Sequence, residues 1–225
     1  MSDIAVPLFD SPDDVPDRES YVLGQGFSRD VEKCKALLPD SRMWPTELDE
    51  APMSGTRRLV DRGLIFRIAE RAWTDREDEW AASQLHAAIA VWGAPPGIPM
   101  SRAIRPLAES GVGQKLSQAM KLVRGEGPES AYKALSRNGR LRVANLGPSY
   151  FTKFLYFGGF GAKLYMPQSL IMDDNVIAGL KAVTKQPWTA SAADYVRYLE
   201  QATEWATEFS TAADVVERRL YDIGE

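Results

Sequence analysis

The 225-residue chain is 44% hydrophobic and 26% charged with a net charge of −4, as in an ordinary globular protein that has room for one large domain or two small lobes. Its one cysteine, Cys34, excludes an intramolecular disulfide and a thiolate metal cluster, and its one histidine, His86, argues against a zinc site or a catalytic triad. The acidic N-terminus does not resemble a signal peptide and no apolar run is as long as a membrane span, so we expect a cytoplasmic protein without membrane contact.

Charge is unevenly distributed along the chain. Residues 1–100 contain 11 basic and 18 acidic side chains, residues 101–170 contain 11 and 3, and residues 171–225 contain 5 and 10. The net charge of the three segments is therefore −7, +8 and −5. A basic middle segment in an acidic protein is a candidate phosphate-binding face, and a chance cluster of solvated helix charges explains it equally well.

The first half of the chain contains three helical patterns after an irregular start over residues 1–27. The first helix is expected to run from a cap at Ser28 to the residue before Pro39, with Cys34 as a small buried apolar residue. The other two patterns cover residues 56–73 and 75–93. His86 lies among apolar residues of the third pattern, which favours a core or boundary histidine over a catalytic one.

The second half of the chain also has helical periodicity. The predicted helices begin at the cap Ser101 and continue over 113–125, 128–137 and 148–157, an apolar-rich pattern resumes over 170–183, and a long helix or a broken pair follows over 191–224. The helix that begins with Pro148 is apolar on most sides and is expected to be buried. Because strand signals are few, the sequence predicts an all-α fold.

A hairpin over residues 141–155 is the first candidate for function. Its sequence, "LRVANLGPSYFTKFL", predicts a short helix, a tight turn through Gly147 and Pro148, and a second helix that starts at once. The free N–H groups at the start of that helix can bind a phosphate oxygen, and Arg140, Arg142 and Lys153 would add long-range attraction. The alternative is an ordinary corner between two helices.

Two further features follow the hairpin. The cluster "GGFGAK" lacks the spacing of a phosphate loop and follows no predicted strand, so we interpret it as a connector. Asp173 and Asp174 in "LIMDDNVIAGL" stand at the start of a helix, where an acidic residue is usually a cap. The succession of phosphate-binding turn, buried helix, linker and acid suggests a functional role as well.

This succession resembles the helix-hairpin-helix DNA glycosylases, and within them the small 8-oxoguanine-glycosylase branch. In that superfamily a hairpin of the form Leu-x-Gly-x-Gly precedes a helix, and an Asp opens another helix after a linker. Here the second hairpin glycine matches Gly147, and Asn145 replaces the first. The run Asp173-Asp174-Asn175-Val176 matches the "D-x-N-V" form of adenine-removing members. The specific match covers roughly 35 residues.

The resemblance implies roles for individual residues. Asp173 is the expected catalytic acid, with Asp174 as the fallback if the alignment shifts by one residue. The residues implied in DNA binding are Asn145, Gly147, Pro148, Ser149, Tyr150, Thr152 and Lys153, together with Arg140 and Arg142. Bifunctional members carry a lysine two residues after the second hairpin glycine, where it forms a Schiff base and cuts the strand. Ser149 stands there in this chain, so the resemblance implies a monofunctional enzyme, and Lys153 remains a rival nucleophile.

The resemblance also implies an architecture and a reaction. Residues 1–55 and 174–225 would form one helical lobe, and residues 56–173, with the hairpin at about 140–157, would form the other. Double-stranded DNA would lie in the cleft between the lobes, and a modified base would be flipped out and hydrolysed off by a monomeric enzyme, leaving an abasic site. No cofactor is implied except a monovalent cation at the hairpin.

The resemblance leaves the substrate and the activity itself open. Branch membership suggests 8-oxoguanine, and the association of small proteins of this fold with phage defence suggests glucosylated hydroxymethylcytosine. A non-catalytic helix-hairpin-helix DNA-binding module, a bifunctional enzyme that uses Lys153, and a helical interaction protein are the alternatives.

Overall fold

The computed structural model describes residues 6–94, 97, 99–162 and 167–225 of the chain. Most of these residues lie in helices, with a small antiparallel sheet near the N-terminus. The helices are α1 Val31–Lys35, α2 Arg62–Thr74, α3 Ala81–Gly93, α4 Met100–Ile104, α5 Val112–Gly125, α6 Pro128–Leu135, α7 Pro148–Gly159, α8 Asp174–Thr184, α9 Ala192–Glu208 and α10 Ala213–Gly224. The strands are β1 Gly26–Arg29, β2 Met53–Ser54 and β3 Arg57–Asp61. Short helical turns lie at Pro12–Asp14, Glu19–Leu23, Ser41–Met43, Thr46–Leu48 and Arg105–Ala108.

The sheet corrects the all-α prediction in part. Its strand order is β1-β3-β2, with β3 antiparallel to both neighbours. The helix predicted over 56–73 is wrong at its start, because Leu59 and Val60 lie in β3 and only the part from Arg62 onward is helical. The boundary is set by Asp61, whose carboxylate accepts a hydrogen bond from the backbone N–H of Leu64 at 2.7 Å.

Three other helix starts also differ from the prediction, and one of them is that of α3, which begins at Ala81 rather than at residue 75. Ser28 does not cap α1 but lies in β1, and the carboxylate of Asp30 caps the helix instead by accepting from the N–H of Lys33 at 3.2 Å. Ser101 lies inside α4 rather than before it. The predicted burial of Cys34 and the end of α3 at Gly93 are confirmed.

The helices around the hairpin follow the prediction more closely. α5, α6, α7 and α8 occupy the predicted segments, and the long C-terminal pattern is the broken pair α9 and α10. The short helix expected before Gly147 is absent, because the chain forms turns between Ser136 and Gly147, so the helix that precedes the turn is α6. Residues 163–166 of the predicted glycine-rich connector lie outside the described residues.

Helix α7 is the centre of the core. It packs against α2, α3, α5 and α6, and its residues from Phe151 to Gly158 are all buried, as expected of a helix that is apolar on most sides. Helix α8 packs closely on α10, where a Cβ at Gly179 would lie 2.0 Å from the carbonyl oxygen of Leu220. This close approach brings the start of α8 next to the buried face of α10.

None of the helices in the described part of the chain combines the length and the apolar character needed to cross a membrane.

Candidate active site

The side chains of Lys153 and Asp173 meet at the junction of α7 and α8. Lys153 Nζ donates a hydrogen bond to Asp173 Oδ2 at 2.7 Å, and the two side chains are 9% and 14% exposed. A lysine and a carboxylate this close and this shielded from water interact strongly, whereas exposed ion pairs contribute little. The structure therefore brings together the predicted acid and the predicted rival nucleophile.

Asp173 is held by the segment that precedes it. The hydroxyl of Thr152 on α7 accepts a hydrogen bond from the backbone N–H of Met172 at 3.0 Å. The buried hydroxyls of Tyr195 and Tyr198 on α9 donate to the carbonyls of residues 170 and 171 at 3.0 and 3.1 Å. Asp173 itself caps α8 by accepting from the N–H of Val176 at 3.2 Å. Its carboxylate thus has a fixed position and one oxygen directed at Lys153.

Lys153 reaches this position because side chains on a helix point towards its N-terminus. Its ammonium also donates to the carbonyl oxygen of Ser149, one turn earlier, at 3.1 Å. The stem of the lysine passes over Gly93 at the end of α3, where an added Cβ would be 3.3 Å from the lysine Cδ and Cε. The site therefore contains an amine, because Lys153 places its Nζ beside the backbone of Ser149.

The Lys153–Asp173 pair lines a cavity of about 250 Å³. This volume is smaller than the roughly 300–1,000 Å³ of pockets that hold drug-sized ligands. Aromatic side chains form part of its wall, including Phe27 and Trp92, whose ring centroids are 6.3 Å apart. The other lining side chains include Gln25, Arg62, Asn175, Glu217 and Tyr221.

A groove of about 1150 Å³ adjoins this cavity, and both are lined by Ser149, Tyr150 and Asp174. The wall of the groove carries a set of basic side chains that contains Arg102, Lys133, Arg137 and Arg142. Asn145, Gly147 and Pro148 also line it, at the start of α7. A positive groove beside the start of a helix is a suitable surface for phosphates.

Asn145 adopts the left-handed conformation, with φ of +63°. This conformation is accessible to glycine and, among other residues, most readily to asparagine and aspartate. The backbone at Asn145 therefore has a conformation that a glycine at this position would also allow. No atom lies within 4 Å of the position that a Cβ at Gly147 would occupy, so the groove is open at this point.

The structure separates the predicted DNA-binding residues. Arg142, Asn145, Gly147, Pro148, Ser149 and Tyr150 line the groove. Lys153 lines the cavity instead, and Arg140 is exposed but is not part of the groove wall. Thr152 is fully buried and bonded to the backbone, so its predicted place among DNA-contacting residues is wrong. Asp174 is exposed where the groove meets the cavity.

Sequence reasoning missed three cavity residues that form one network. Arg62 Nη1 and Nη2 donate to the two carboxylate oxygens of Glu217 at 2.5 and 3.1 Å. Arg62 Nε donates to Gln25 Oε1 at 2.5 Å. Arg62 on α2 and Glu217 on α10 are buried charged residues. In the sequence, the one signal for each residue was a charge at a core position of an amphipathic helical pattern.

His86 lies fully in the core, as predicted, beside the rings of Tyr150 and Phe154 with centroid distances of 6.5 Å. Burial lowers its pKa to about 4, so the imidazole is neutral at physiological pH. The backbone of Ala103 lies near the ring and partly opposes the fall in its pKa, and the histidine does not line the cavity.

Comparison with known proteins gives one match. The model of the family described as "Putative 8-oxoguanine DNA glycosylase OGG-like protein" matches residues 20–221. The matched range includes the hairpin, the Lys153–Asp173 pair, and the network of Gln25, Arg62 and Glu217. No curated protein and no solved structure matches the chain significantly.

Proposed function

The chain belongs to the OGG-like DNA glycosylase family, and we propose that it excises a modified base from double-stranded DNA with Lys153 and Asp173 as the reacting pair. The observation that carries the proposal is the 2.7 Å contact between Lys153 Nζ and Asp173 Oδ2 in the wall of a base-sized cavity. The adjoining basic groove supports a duplex partner, whose phosphates would lie along Asn145, Gly147 and Arg142. We also propose that the chain forms two lobes with a DNA cleft between them and that a monovalent cation binds at the hairpin.

The proposed reaction begins when the target nucleotide leaves the base stack and its base enters the cavity. Lys153 passes a proton to Asp173, and its Nζ forms a bond to the sugar carbon C1′. The bond between C1′ and the base breaks, and the base leaves with the electron pair and takes up the proton that Asp173 accepted. The carboxylate that Asp173 regains in this step stabilises the positive charge on the sugar and the bonded amine.

A lysine bonded to C1′ has a further consequence. Opening of the sugar ring gives an imine between C1′ and Lys153, and loss of a proton from C2′ then expels the 3′ phosphate. The strand is cut in this step, and water afterwards releases the enzyme. The contact between Lys153 and Asp173 therefore favours a bifunctional enzyme over the monofunctional one that Ser149 indicates.

The hydrolytic mode is the second candidate, and Ser149 is the residue that favours it. In that mode Asp173 would activate a water molecule, and Lys153 would serve only to orient the carboxylate. The product would be an intact strand with an abasic site.

For the substrate, we propose an oxidised purine such as 8-oxoguanine. The description of the matched family names 8-oxoguanine, whereas the hexose of a glucosylated hydroxymethylcytosine would have to extend from the cavity of about 250 Å³ into the adjoining groove. This choice places the protein in repair of oxidised DNA rather than in defence against phages with glucosylated DNA.

One incubation experiment tests the proposed function and distinguishes the reaction that cuts the strand from the hydrolysis that leaves an abasic site. Duplexes with a single 8-oxoguanine, or with a glucosylated hydroxymethylcytosine, are treated with the protein and analysed with and without alkali. Cleavage of the 8-oxoguanine strand without alkali supports the proposed reaction, and cleavage only after alkali supports the hydrolytic mode. Salt-sensitive binding without base release would leave a non-catalytic DNA-binding module.

A further inference from the structure

The chain in front of α8 is buried although it has no regular secondary structure. Residues 167–173 lie outside helices and strands, and residues 170–172 are each at most 1% exposed. A buried backbone needs hydrogen-bond partners, and a segment outside helices and strands has to find them among side chains or distant backbone. The position of Asp173 therefore depends on how the strip of residues 170–172 is held.

Two tyrosines on α9 hold the first part of the strip. The buried hydroxyls of Tyr195 and Tyr198 donate to the carbonyl oxygens of residues 170 and 171 at 3.0 and 3.1 Å. Burial raises the pKa of both phenols above the ordinary value, so both remain protonated donors at physiological pH. These two bonds anchor the strip to α9, and neither of them reaches the residue next to Asp173.

Thr152 on α7 holds the end of the strip. Its fully buried hydroxyl accepts a hydrogen bond from the backbone N–H of Met172 at 3.0 Å and donates one to the carbonyl oxygen of Pro148 at 2.7 Å. Thr152 and Lys153 are neighbours on α7, and they bond to Met172 and Asp173, which are neighbours in front of α8. Two consecutive residues of α7 thus hold two consecutive residues of the other segment.

Only one of these two connections keeps its geometry during the proposed reaction. Once Lys153 Nζ has formed its bond to C1′, the sugar determines where the nitrogen lies, and the contact with Asp173 no longer fixes the carboxylate. The carboxylate is still needed at that stage, because positive charge remains on the sugar and the bonded amine. The hydrogen bond between Thr152 and Met172 takes no part in the bond changes and stays in place.

We propose that Thr152 is a positioning residue that holds Asp173 beside the sugar after Lys153 has bonded to C1′. The proposal rests on the glycosylase function argued above and adds to it a residue that touches neither the base nor the DNA. The role requires a hydroxyl, because the same oxygen accepts from one backbone group and donates to another. Displacement of a reacting group by about 1 Å can cost roughly 10²-fold in rate, so loss of the hydroxyl should slow excision strongly.

Substitution of Thr152 by Val tests the proposal, because valine keeps the shape of the side chain and lacks the hydroxyl. Single-turnover excision of 8-oxoguanine should fall roughly 10-fold to 10²-fold, while affinity for the duplex stays within a few-fold of the wild-type value. Thr152→Ser keeps the hydroxyl and should retain a rate close to wild type. Thr152→Cys has a weak donor and acceptor and should give an intermediate rate, which keeps the series informative if the valine variant does not fold.

Thr203→Val is the matched control. The hydroxyl of Thr203 on α9 also donates to the carbonyl oxygen four residues earlier, at 2.7 Å, but the residue is exposed. This variant should excise at the wild-type rate. Thermal unfolding shows for each variant that the assay is carried out on folded protein.

A double variant separates positioning from a general loss of structure. If Thr152 acts through Asp173, Thr152→Val should change the rate by less than about twofold in a protein that already carries Asp173→Asn, whereas independent effects would multiply. Hydrogen exchange provides a measurement that does not depend on activity. The amide of Met172 should exchange slowly in the wild-type protein and in Thr152→Ser, and faster in Thr152→Val or Thr152→Cys.

The outcomes separate this proposal from the function on which it rests. With base release by the wild-type protein intact, an unchanged rate in the Thr152 variants, or effects that multiply in the double variant, overturns the positioning role and leaves the glycosylase function in place. Equal exchange of the Met172 amide in all variants also overturns the positioning role. Absence of base release by the wild-type protein overturns both.

Discussion

Replacement of Asp173 by Asn removes one negative charge from the Lys153–Asp173 pair and changes little else. The amide oxygen of Asn can still accept the capping hydrogen bond of α8, and asparagine is among the best capping residues. Asn cannot accept the proton of Lys153 and also lacks the charge of the carboxylate, and the electrostatic part of the loss can be estimated. A carboxylate at about 4 Å from a developing positive charge contributes roughly 4 kcal/mol at an effective dielectric constant near 20.

This energy gives the expected size of the effect. Each ~1.4 kcal/mol corresponds to a factor of ten in rate, so full loss of the interaction would slow excision about 10³-fold. The amide dipole of Asn retains part of the attraction. We therefore expect a decrease of roughly 10²-fold to 10³-fold in single-turnover excision of 8-oxoguanine. The groove that holds the phosphates does not change, so DNA affinity should remain within a few-fold of the wild-type value.

Asp174→Asn is the matched control, because the same charge is removed one residue further along, where the side chain is exposed. Its excision rate should stay within a few-fold of wild type. Excision rates are compared with fluorescence-anisotropy binding and with thermal melts of each variant. A folded Asp173→Asn protein with a wild-type rate would refute the assignment of Asp173, and a large loss confined to Asp174→Asn would transfer the role to Asp174.

Three further predictions address the surroundings of the site. Gly93→Ala should press on the Lys153 stem, where the added Cβ lies 3.3 Å from two of its carbons, and lower excision several-fold without loss of thermal stability. Asn145→Val should cost about 1–2 kcal/mol because of its positive φ and lower the melting temperature by a few degrees, whereas Asn145→Gly should not. His86 has a pKa of about 4 in the folded protein and an ordinary pKa of 6.5 in the unfolded chain, so the unfolded chain binds more protons between these values and stability falls as pH falls through this window. Urea unfolding should show that His86 accounts for about 2 kcal/mol of loss between pH 7 and pH 5, which His86→Leu abolishes; equal pH dependence of both proteins would contradict this.

The sequence predicts those parts of the site that depend on local signals. Pro148 at the first position of α7 and Asp173 before the apolar face of α8 each mark a helix start, and both starts are confirmed. The sheet was not predicted because β3 is five residues long, and Leu59 and Val60 fit the pattern of the helix that follows as well as that of a strand.

The parts of the site that the sequence did not predict depend on contacts between distant residues. Lys153 and Asp173 are 20 positions apart, and Arg62 and Glu217 are 155 apart. Periodicity marks Arg62 and Glu217 only as charged residues on amphipathic helices. Glu217 reaches the cavity through the packing of α8 on α10, and Arg62 reaches it from the start of α2. Nothing in a single segment specifies either placement.

The central claim is that the amine of Lys153 reacts with the sugar while Asp173 assists. Sodium borohydride reduces an imine between enzyme and DNA to a stable covalent bond, so trapping reports the intermediate directly. With an 8-oxoguanine duplex, the wild-type protein should give a DNA adduct that peptide mapping assigns to Lys153, and Lys153→Gln should give none. Base release without any trapped adduct, or an adduct that persists in Lys153→Gln, would contradict the claim.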